Sequence, residues 1–461
     1  MPAPFRYTDA LAAIWERSGY DRGFISNPFA GDEAARLGLR RTEAILARFG
    51  NPHHRYAIVH VAGSKGKGST TTMIDAILRA AGERTGRYIS PHLHSYRERI
   101  AVDDAPISKE DFARLTRQAL EATRLIEREQ PELGEVTAWE LTTAMALIWY
   151  AEAGCTWAVI EVGLGGTLDA TNVVSPAVSV ITRLDYEHTA VLGDTIEEIA
   201  ANKAGIIKPG APVVSAHQVP AAMEVIAQRA ELMGSRLLIQ DRDFATTGTD
   251  TAFSYRDDRR ELGGLSASLI GRHQVENAGL AIAAAQLAID PPETAIRTGL
   301  AHVVNPGRFE IVTVPGGPTV VIDGAHTPIA AAALRLAIEE RFPGQQAHLV
   351  VGMLQGKDAD KVLANLAPIA ASWHLAPLDT PRTMAVQDLA PAVPHADRPI
   401  HRHASVATAL TAAMTASPHA LIVVTGSLST AAEARVALGL ATNDPAPNAE
   451  PRVSLGESDR S

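Results

Sequence analysis

The chain has 461 residues, of which 46% are hydrophobic and 20% are charged, as is ordinary for a folded globular protein. This length favours two or three domains, and the composition excludes a mainly disordered chain. The formal charge of −10 argues against sequence-independent nucleic-acid binding. The single cysteine, Cys155, excludes an internal disulfide and a cysteine-rich zinc site. We find neither a signal-peptide pattern nor an apolar run of about 18 residues, and therefore expect a cytoplasmic protein without a membrane span.

The first half alternates short β-branched runs with stretches rich in Ala and Leu. This alternation predicts a mostly parallel sheet with helices on both faces. Gly82 is expected to end the first helix, and Asp194 or Thr195 to cap the third. The stretch 235–270 has little helical period and predicts a small antiparallel β insertion. The predicted strands are 56–63, 156–163, 177–184 and 211–216, and the predicted helices are 69–82, 140–154, 194–207, 221–234 and about 274–288.

A second α/β unit is predicted after Pro306-Gly307, which interrupts any helix. Its strands are the apolar runs GPTVVIDGA, QAHLVVGM and ALIVVTGS, separated by Ala-rich helices. We therefore expect an N-terminal domain over 1–304 and a C-terminal domain over 305–440. The polar, Pro-rich residues 441–461 predict a disordered tail.

A glycine-rich segment, Gly63-Ser64-Lys65-Gly66-Lys67-Gly68-Ser69, joins the first predicted strand to the first predicted helix. Such a turn lets backbone N–H groups approach phosphate oxygens, and the helix N-terminus favours an anion. Lys67 would reach the β- and γ-phosphates, and the Ser69 hydroxyl would lie near Mg²⁺. The spacing departs from GxxxxGK[ST], because the first Gly is two residues closer and Gly68 follows the Lys. A plain Gly-rich turn is the alternative interpretation.

Several motifs resemble the folylpolyglutamate synthase and dihydrofolate synthase family, which belongs to the Mur ligase superfamily of ATP-dependent amide-bond ligases. The resemblance covers roughly 35–435 and implies an α/β fold. This fold has a P-loop ATPase domain with a mostly parallel sheet and a smaller Rossmann-like C-terminal glutamate-ligase domain. Ser64 is a mild departure from the family's loop. The motifs follow the family's order: HVAGSKGKGSTTTMIDAILRAAG, YISPHLHSYRERI, IEVGLGGTLDATN, LDYEHTAVLGDTIEEIAANKAGIIKPG, GRHQVENAGLA, NPGRFE, DGAHTP and VTGSL.

The resemblance implies a Mg²⁺ site at Ser90, Glu161 and His188 and a carbamylated lysine at Lys203. A carboxylate at the end of a strand beside a phosphate loop is a suitable Mg²⁺ ligand. A desolvated lysine can be neutral and react with CO₂ to give an anionic oxygen donor. The residues alone leave other interpretations open. Glu161 could be hydrogen-bonded to its Gly-rich turn, and Ser90 could belong to a plain SPH turn. His188 could be a structural histidine, and Lys203 a solvated helix lysine.

The resemblance also implies contacts to ATP and to a pterin. Trp139 could stack on a flat heterocycle, or be a partly buried aromatic at a helix start. Segment 26–41 stands where relatives carry a substrate loop, and it matches too weakly to assign residues. Thr327 stands where bacterial relatives often have Asn, which leaves glutamate contacts there undefined. The implied ATP contacts are Gly66, Lys67, Gly68 and Ser69 from the loop, with Asn277 for adenine, Arg308 for phosphate and Asp323 for ribose. The implied pterin contacts are Thr137, Ala138, Trp139, Glu140, Leu168, Asp169 and Ala170, and His326 would contact the acyl phosphate or the incoming glutamate.

The function expected from the resemblance is ATP-dependent addition of L-glutamate to folate or dihydropteroate through an acyl phosphate, by a monomer whose domains close on ATP. Dihydrofolate synthase activity, folylpolyglutamate synthase activity, or both, remain open. One alternative is an amide ligase of the same fold that uses another acid, although GLGGTLDATN favours folate-type over cell-wall substrates. Another is an ATPase that does not need glutamate. A kinase is disfavoured, because the loop spacing departs from its usual form.

Overall fold

The computed structural model describes residues 5–18, 32–394, 398–416 and 419–444. Within these ranges, no helix is both long enough and apolar enough to cross a membrane. The segment 26–41, where a substrate loop is expected, lies partly outside the described residues, and so does most of the predicted tail.

The N-terminal half is built on an eight-stranded sheet in the order β4-β3-β2-β5-β1-β6-β7-β8. The six strands β2, β5, β1, β6, β7 and β8 are parallel, whereas β3 pairs antiparallel with both β2 and β4 at one edge. This confirms the mostly parallel sheet predicted from the alternating pattern. The elements up to residue 301 are α1 (Tyr7–Glu16), α2 (Asp32–Arg48), β1 (Ala57–Ala62), α3 (Lys67–Ala80), β2 (Thr85–Tyr88), β3 (Ile100–Val102), β4 (Ala105–Pro106), α4 (Lys109–Glu129), α5 (Ala138–Glu152), β5 (Trp157–Glu161), β6 (Val178–Ile181), α6 (Thr189–Leu192), α7 (Ile196–Ala204), β7 (Val213–Ser215), α8 (Pro220–Leu232), β8 (Leu237–Ile239), β9 (Phe244–Thr249), β10 (Ala252–Asp257), β11 (Glu261–Leu265), α9 (Arg272–Ala288) and α10 (Glu293–Ala301).

The central strands of this sheet are buried on both faces, because side chains alternate across it. On β1, Ile58 enters the core shared with α1, α4 and α5, whereas Val59 and Val61 enter the core shared with α3, α9 and α10. The two layers of helices hold the sheet rigidly. The carboxyl ends of β1 and β5 therefore meet at one edge.

The antiparallel insertion predicted over 235–270 is confirmed for its larger part. Strands β9, β10 and β11 form a separate antiparallel sheet that packs against α9. The prediction is wrong for β8, which pairs in parallel with β7 and extends the main sheet. Its three residues are too few to show a period in the sequence.

The second half has its own six-stranded sheet, in the order β12-β13-β17-β14-β15-β16. All neighbouring pairs are parallel except β12 with β13. Alternation again sends Val321 to one core and Val320 and Ile322 to the other. Its elements are β12 (Glu310–Thr313), β13 (Thr319–Ile322), α11 (Pro328–Arg341), β14 (Ala347–Val351), α12 (Ala359–Leu366), β15 (Ala370–Leu375), α13 (Val386–Leu389), β16 (Ile400–Arg402), α14 (Val406–Ala416), β17 (Leu421–Thr425) and α15 (Leu428–Ala437).

The chain after α15 returns to the first domain, which corrects part of the predicted tail. Asp444 accepts hydrogen bonds from the Tyr96 backbone N–H and the Tyr7 hydroxyl, and its own N–H donates to the His94 carbonyl. The Oδ1 of Asn443 lies 2.8 Å from Nδ1 of His94. The prediction of disorder from residue 441 is therefore wrong for the first four residues, and 445–461 lie outside the described residues.

Candidate active site

The glycine-rich loop has a backbone that only glycine accommodates at two positions. Gly63 and Gly66 have φ values of 150° and 87°. A Cβ at Gly63 would lie 1.8 Å from Thr182 Oγ1, and a Cβ at Gly66 would lie 2.5 Å from Asn277 Oδ1. The loop therefore packs its backbone against β6 and α9, and the close approach depends on the missing side chains.

The N-terminus of α3 begins directly after this loop, at Lys67, with Gly66 as a cap that has no side chain. The Lys67 ammonium folds back and donates to the Gly63 carbonyl at 2.9 Å. Ser69 is buried in the first turn of the helix. A helix N-terminus beside a positive charge favours an anion, and this one follows β1, a central strand of the sheet.

Lys203 lies beneath the loop and is only 1% exposed, so its interpretation as a solvated helix lysine is wrong. Its ammonium donates to the Gly63 carbonyl at 2.8 Å and to Glu187 Oε1 at 2.9 Å. Gly166 makes room for α7, because a Cβ there would lie 2.9 Å from Lys203 Cα. Burial, and then the charge of Lys67, lowers the pKa of Lys203 to about 8 against the effect of Glu187.

Glu187 balances the lysines around the loop. It pairs with Lys203, and its Oε2 lies 3.7 Å from the Lys65 ammonium. Burial alone would raise its pKa, but the charges of Lys67 and Lys203 hold the pKa of Glu187 below its ordinary value. Desolvation, with the charges of Lys67 and Lys203, lowers the pKa of the neighbouring His188 against the effect of Glu187.

Glu161 ends β5 beside the first turn of α3. Its Oε2 accepts a hydrogen bond from the Ser90 N–H at 3.0 Å and would lie 3.6 Å from a Cβ at Gly68. Burial raises the pKa of Glu161, and the Lys67 charge and the Ser90 N–H act against that rise. Within the described residues, no group of three or more His, Cys, Asp and Glu side chains is arranged to hold a metal. The arrangement offers isolated oxygen donors, as a partly hydrated Mg²⁺ requires.

Trp139 and Asp169 lie together near the start of α5. The indole Nε1 donates to Asp169 Oδ2 at 3.1 Å, and that oxygen also accepts from the Leu164 N–H. The ring lies 5.3 Å from that of Tyr88, tilted by 30°. A Cβ at Gly163 would lie 2.4 Å from the indole, so the indole packs closely against the turn after β5. The indole is thereby held beside the end of β5, close to the phosphate loop.

The other predicted pterin residues frame this pair. Thr137 caps α5, and its N–H donates to Glu140, which is itself buried. Both carboxylate oxygens of Glu140 accept from the Arg41 guanidinium at 2.7 Å. Glu140 is thus held by the protein itself. Ala138 and Ala170 are buried and Leu168 is half-buried, so they shape the site mainly through their backbone.

Asn277 reaches the loop from α9. Its Nδ2 donates to Gln274 Oε1 at 3.0 Å, and its Oδ1 faces Gly66.

The C-terminal residues Arg308, Asp323 and His326 lie around the start of β12 and the end of β13. Asp323 accepts from the Phe309 and Ala325 N–H groups at 2.8 Å each, and burial raises its pKa. His326 Nδ1 lies 2.9 Å from the Gly324 carbonyl, so Nδ1 carries the proton and Nε2 keeps a lone pair. Desolvation also lowers the pKa of His326, which favours this neutral form.

The structure brings together Lys67, Lys203 and Glu161, and the charge of Arg308 reaches Glu161 and His326 from the second domain. The sequence interpretation missed Glu187 and Arg41, which pair with Lys203 and Glu140. Glu187 directly precedes His188, so its position carried a signal. Arg41 lies at the end of segment 26–41, which matches the family too weakly to assign roles to its residues.

The fold is that of an α/β protein with two main sheets and a glycine-rich loop at a helix N-terminus. The Mur ligase middle-domain model matches residues 61–285, and the Mur ligase glutamate ligase domain model matches 307–428. The Bacillus subtilis dihydrofolate synthase/folylpolyglutamate synthase is 35% identical over 365 residues, which cover 76% of this chain and 84% of that protein.

Solved structures agree with these matches. The Mycobacterium tuberculosis folylpolyglutamate synthase complexed with ADP and AMPPCP has a TM-score of 0.81 at 33% identity, over 88% of this chain and 96% of that chain. An FPGS complex with AMPPCP and folate has a TM-score of 0.77 at 31% identity, over 94% and 99% of the two chains. The chain belongs to the dihydrofolate synthase/folylpolyglutamate synthase family of Mur ligases and is an ATP-dependent ligase. The family and the fold class expected from the motifs are confirmed.

Proposed function

We propose that the protein joins L-glutamate to a folate-type acid at the expense of ATP. The acid is dihydropteroate, a folylglutamate, or both. The observation that carries the proposal is the position of the phosphate loop. It follows β1, whose neighbour β5 ends at Glu161, and the Trp139–Asp169 pair packs against the turn after β5, so a phosphate and a flat heterocycle would bind side by side there. Relatives whose names include both activities support this choice of acid.

ATP would lie between the two domains. The backbone of Gly66, Gly68 and Ser69 would surround the phosphates, with Lys67 released from the Gly63 carbonyl to reach the β- and γ-phosphates. Asn277, which already faces Gly66, would contact adenine. Arg308 would pair with phosphate oxygens, and Asp323 would accept from ribose while holding the turn that carries Arg308.

The chemistry is carboxylate activation. A carboxylate oxygen of the acid attacks the γ-phosphorus, the bond to the β-phosphate oxygen breaks, and ADP leaves. The amine of L-glutamate then attacks the acyl phosphate carbon, loses a proton and expels inorganic phosphate. Lys67 and the loop amides stabilise the charge that develops on the phosphoryl group. His326, with its free Nε2 lone pair, would contact the acyl phosphate or accept a proton from the incoming amine.

Ser90, Glu161 and His188 are the proposed Mg²⁺ donors. Glu161 is a buried carboxylate that accepts from the Ser90 N–H, and within the described residues it makes no salt bridge. When bound, Mg²⁺ neutralises phosphate charge. Lys203 would be carbamylated, since its neutral amine can add to CO₂ with release of a proton. Its burial and lowered pKa support this modification. The carbamate would add an anionic oxygen in place of an ammonium.

The pterin would lie against Trp139, with Asp169 and the backbone of Thr137, Ala138, Leu168 and Ala170 around it. Glu140 would support the pterin site indirectly, because it pairs with Arg41 and accepts from the Thr137 N–H at the start of α5. We assign ATP and pterin binding to a domain over 1–304 and glutamate ligation to a domain over 305–440. The two domains would close on ATP and exclude water from the acyl phosphate. The proposed working form is a cytoplasmic monomer.

The test is phosphate release from ATP and Mg²⁺ with dihydropteroate, tetrahydrofolate or a muramyl precursor, each with and without L-glutamate. Release that requires dihydropteroate and glutamate together supports dihydrofolate synthase activity. Release with tetrahydrofolate and glutamate supports folylpolyglutamate synthase activity. Release only with the muramyl precursor would overturn the choice of acid, and release without glutamate would overturn the ligase reaction.

A further inference from the structure

Arg99 occupies the space between the two halves of the proposed cleft. Its guanidinium carbon lies 4.6 Å from the centre of the Tyr96 ring and 6.0 Å from that of the Trp139 ring. Its carbonyl accepts from the Ile89 N–H at 3.2 Å, and the next residue, Ser90, donates its N–H to Glu161 at 3.0 Å. Arg99 therefore stands between the aromatic surface and the phosphate end of the site.

The side chain of Arg99 is held in place without using its two terminal nitrogens. Its Nε donates to His92 Nδ1 at 2.9 Å. Within the described residues, the terminal nitrogens of Arg99 make no salt bridge or hydrogen bond. A guanidinium fixed through Nε presents a pair of parallel N–H donors in a geometry that matches a carboxylate.

Several other arginines of the first domain have partners within the protein. Arg17, Arg41 and Arg114 are each paired with a glutamate at 2.7 Å. Arg97, on the same short helical turn as Arg99, donates to the Ile107 carbonyl. A half-buried cation that is oriented but not neutralised costs free energy unless an anion arrives from solution. The expected anion is one that lies between a pterin and the γ-phosphate.

We propose that Arg99 binds and orients the reacting carboxylate of the pterin-type acid, between Trp139 and Glu161. The inference rests on the proposed function and names the group that recognises its acid. With the heterocycle on Trp139, the acid end of the substrate points toward Glu161 and Lys67. A bidentate pair with Arg99 would present one carboxylate oxygen to the phosphorus. It would also offset repulsion between the acid and ATP.

The test compares pteroate with its neutral analogue pteroic amide as ligands of the full-length protein in the presence of AMPPCP. The wild type is expected to bind pteroate about 10- to 100-fold more tightly than the amide, as for a charge-assisted hydrogen-bonded pair. Arg99→Gln is expected to abolish this preference while the amide affinity stays within about twofold. Arg97→Gln is the matched control and keeps the preference. A purely structural role for Arg99 would weaken both ligands alike.

Retention of the full preference by Arg99→Gln would overturn the inference alone, because the wild type would still bind the pterin acid. Failure of the wild type to bind either pterin would instead overturn the proposed function and the inference with it. Arg99→Lys covers the case in which Arg99→Gln does not fold. Lysine keeps the positive charge over Tyr96 but lacks the pair of parallel N–H donors of the guanidinium. We therefore expect a smaller preference for pteroate. An unchanged preference in Arg99→Lys would overturn the inference.

Discussion

At the scale of single residues, the site depends on lysines held close together around one carbonyl. Lys67 and Lys203 both donate to Gly63, and Glu187 is the neighbouring anion that pairs with Lys203. Two ammonium groups so close repel each other, and this is one reason why the pKa of Lys203 is lowered. We propose that Lys67 gives up this bond to reach phosphate, whereas Lys203 is buried.

Lys67→Ala is expected to lower kcat by about 100-fold or more, because it removes a charge directed at the phosphoryl group. The unfolding temperature should change little, since the side chain makes one hydrogen bond to its own loop. Steady-state kinetics and thermal unfolding check both parts. Lys361→Ala is the control, because Lys361 pairs only with Asp358 at the surface. Near-normal turnover by Lys67→Ala would contradict the phosphate-loop assignment.

Carbamylation of Lys203 is expected to depend on pH. Above its pKa of about 8 the amine is mostly neutral and can add to CO₂, so occupancy should rise as pH increases through that value. A ¹³C NMR titration with labelled bicarbonate measures this rise. The carbamate signal should be absent from Lys203→Ala and present in Lys208→Ala, and acetate should partly restore the activity of Lys203→Ala. A signal that persists in Lys203→Ala would disprove the assignment.

At the scale of elements, the loop, α3 and α9 form one unit, because two glycines let the loop backbone contact its neighbours. The strand–loop–helix order and the parallel sheet could be predicted from the sequence, since hydrophobic period and glycine position are local signals. The predicted helices do not include α4, although Lys109–Glu129 carries a helical period. The pairs Lys203–Glu187 and Glu140–Arg41 could not be predicted, because partners so distant in sequence meet only through the fold.

Gly66→Ala is expected to lower the free energy of unfolding by about 1–3 kcal/mol, because its φ of 87° and the contact with Asn277 are both unfavourable for a Cβ. ATP binding should be lost as well. Gly82→Ala is the matched control at the other end of α3: its φ is 94°, but no atom lies within 4 Å of the added Cβ. Urea unfolding and nucleotide titration measure the two effects. Equal ATP affinity in the two variants would argue against close packing of the loop as a requirement.

At the scale of the whole molecule, the end of the described chain ties the two domains together. Residues 441–444 follow the last helix of the second domain and bond to the segment 94–96 of the first. Arg435 of α15 also donates to His94 at 3.0 Å. Ser90 and Arg99 lie a few residues to either side of the segment 94–96. The contact therefore links the position of the second domain to two residues of the proposed cleft.

Asp444→Ala is expected to lower the free energy of unfolding by about 1–3 kcal/mol, because the Tyr96 N–H and the Tyr7 hydroxyl lose their acceptor. It should also raise the KM for the acid, since Tyr96 supports Arg99. Denaturant unfolding and kinetics check the two effects against Asp360→Ala, an exposed residue of α12. Unfolding and KM values equal to those of the control would show that the contact has no such role.

The central claim is that a carboxylate of the acid is phosphorylated before glutamate attacks. The most direct measurement uses dihydropteroate or folylglutamate labelled with ¹⁸O in the reacting carboxylate and follows the isotope by mass spectrometry. The account predicts that each inorganic phosphate released with L-glutamate carries one ¹⁸O atom, because the bridging oxygen leaves with phosphorus. Unlabelled phosphate would contradict it and would indicate hydrolysis of ATP by water.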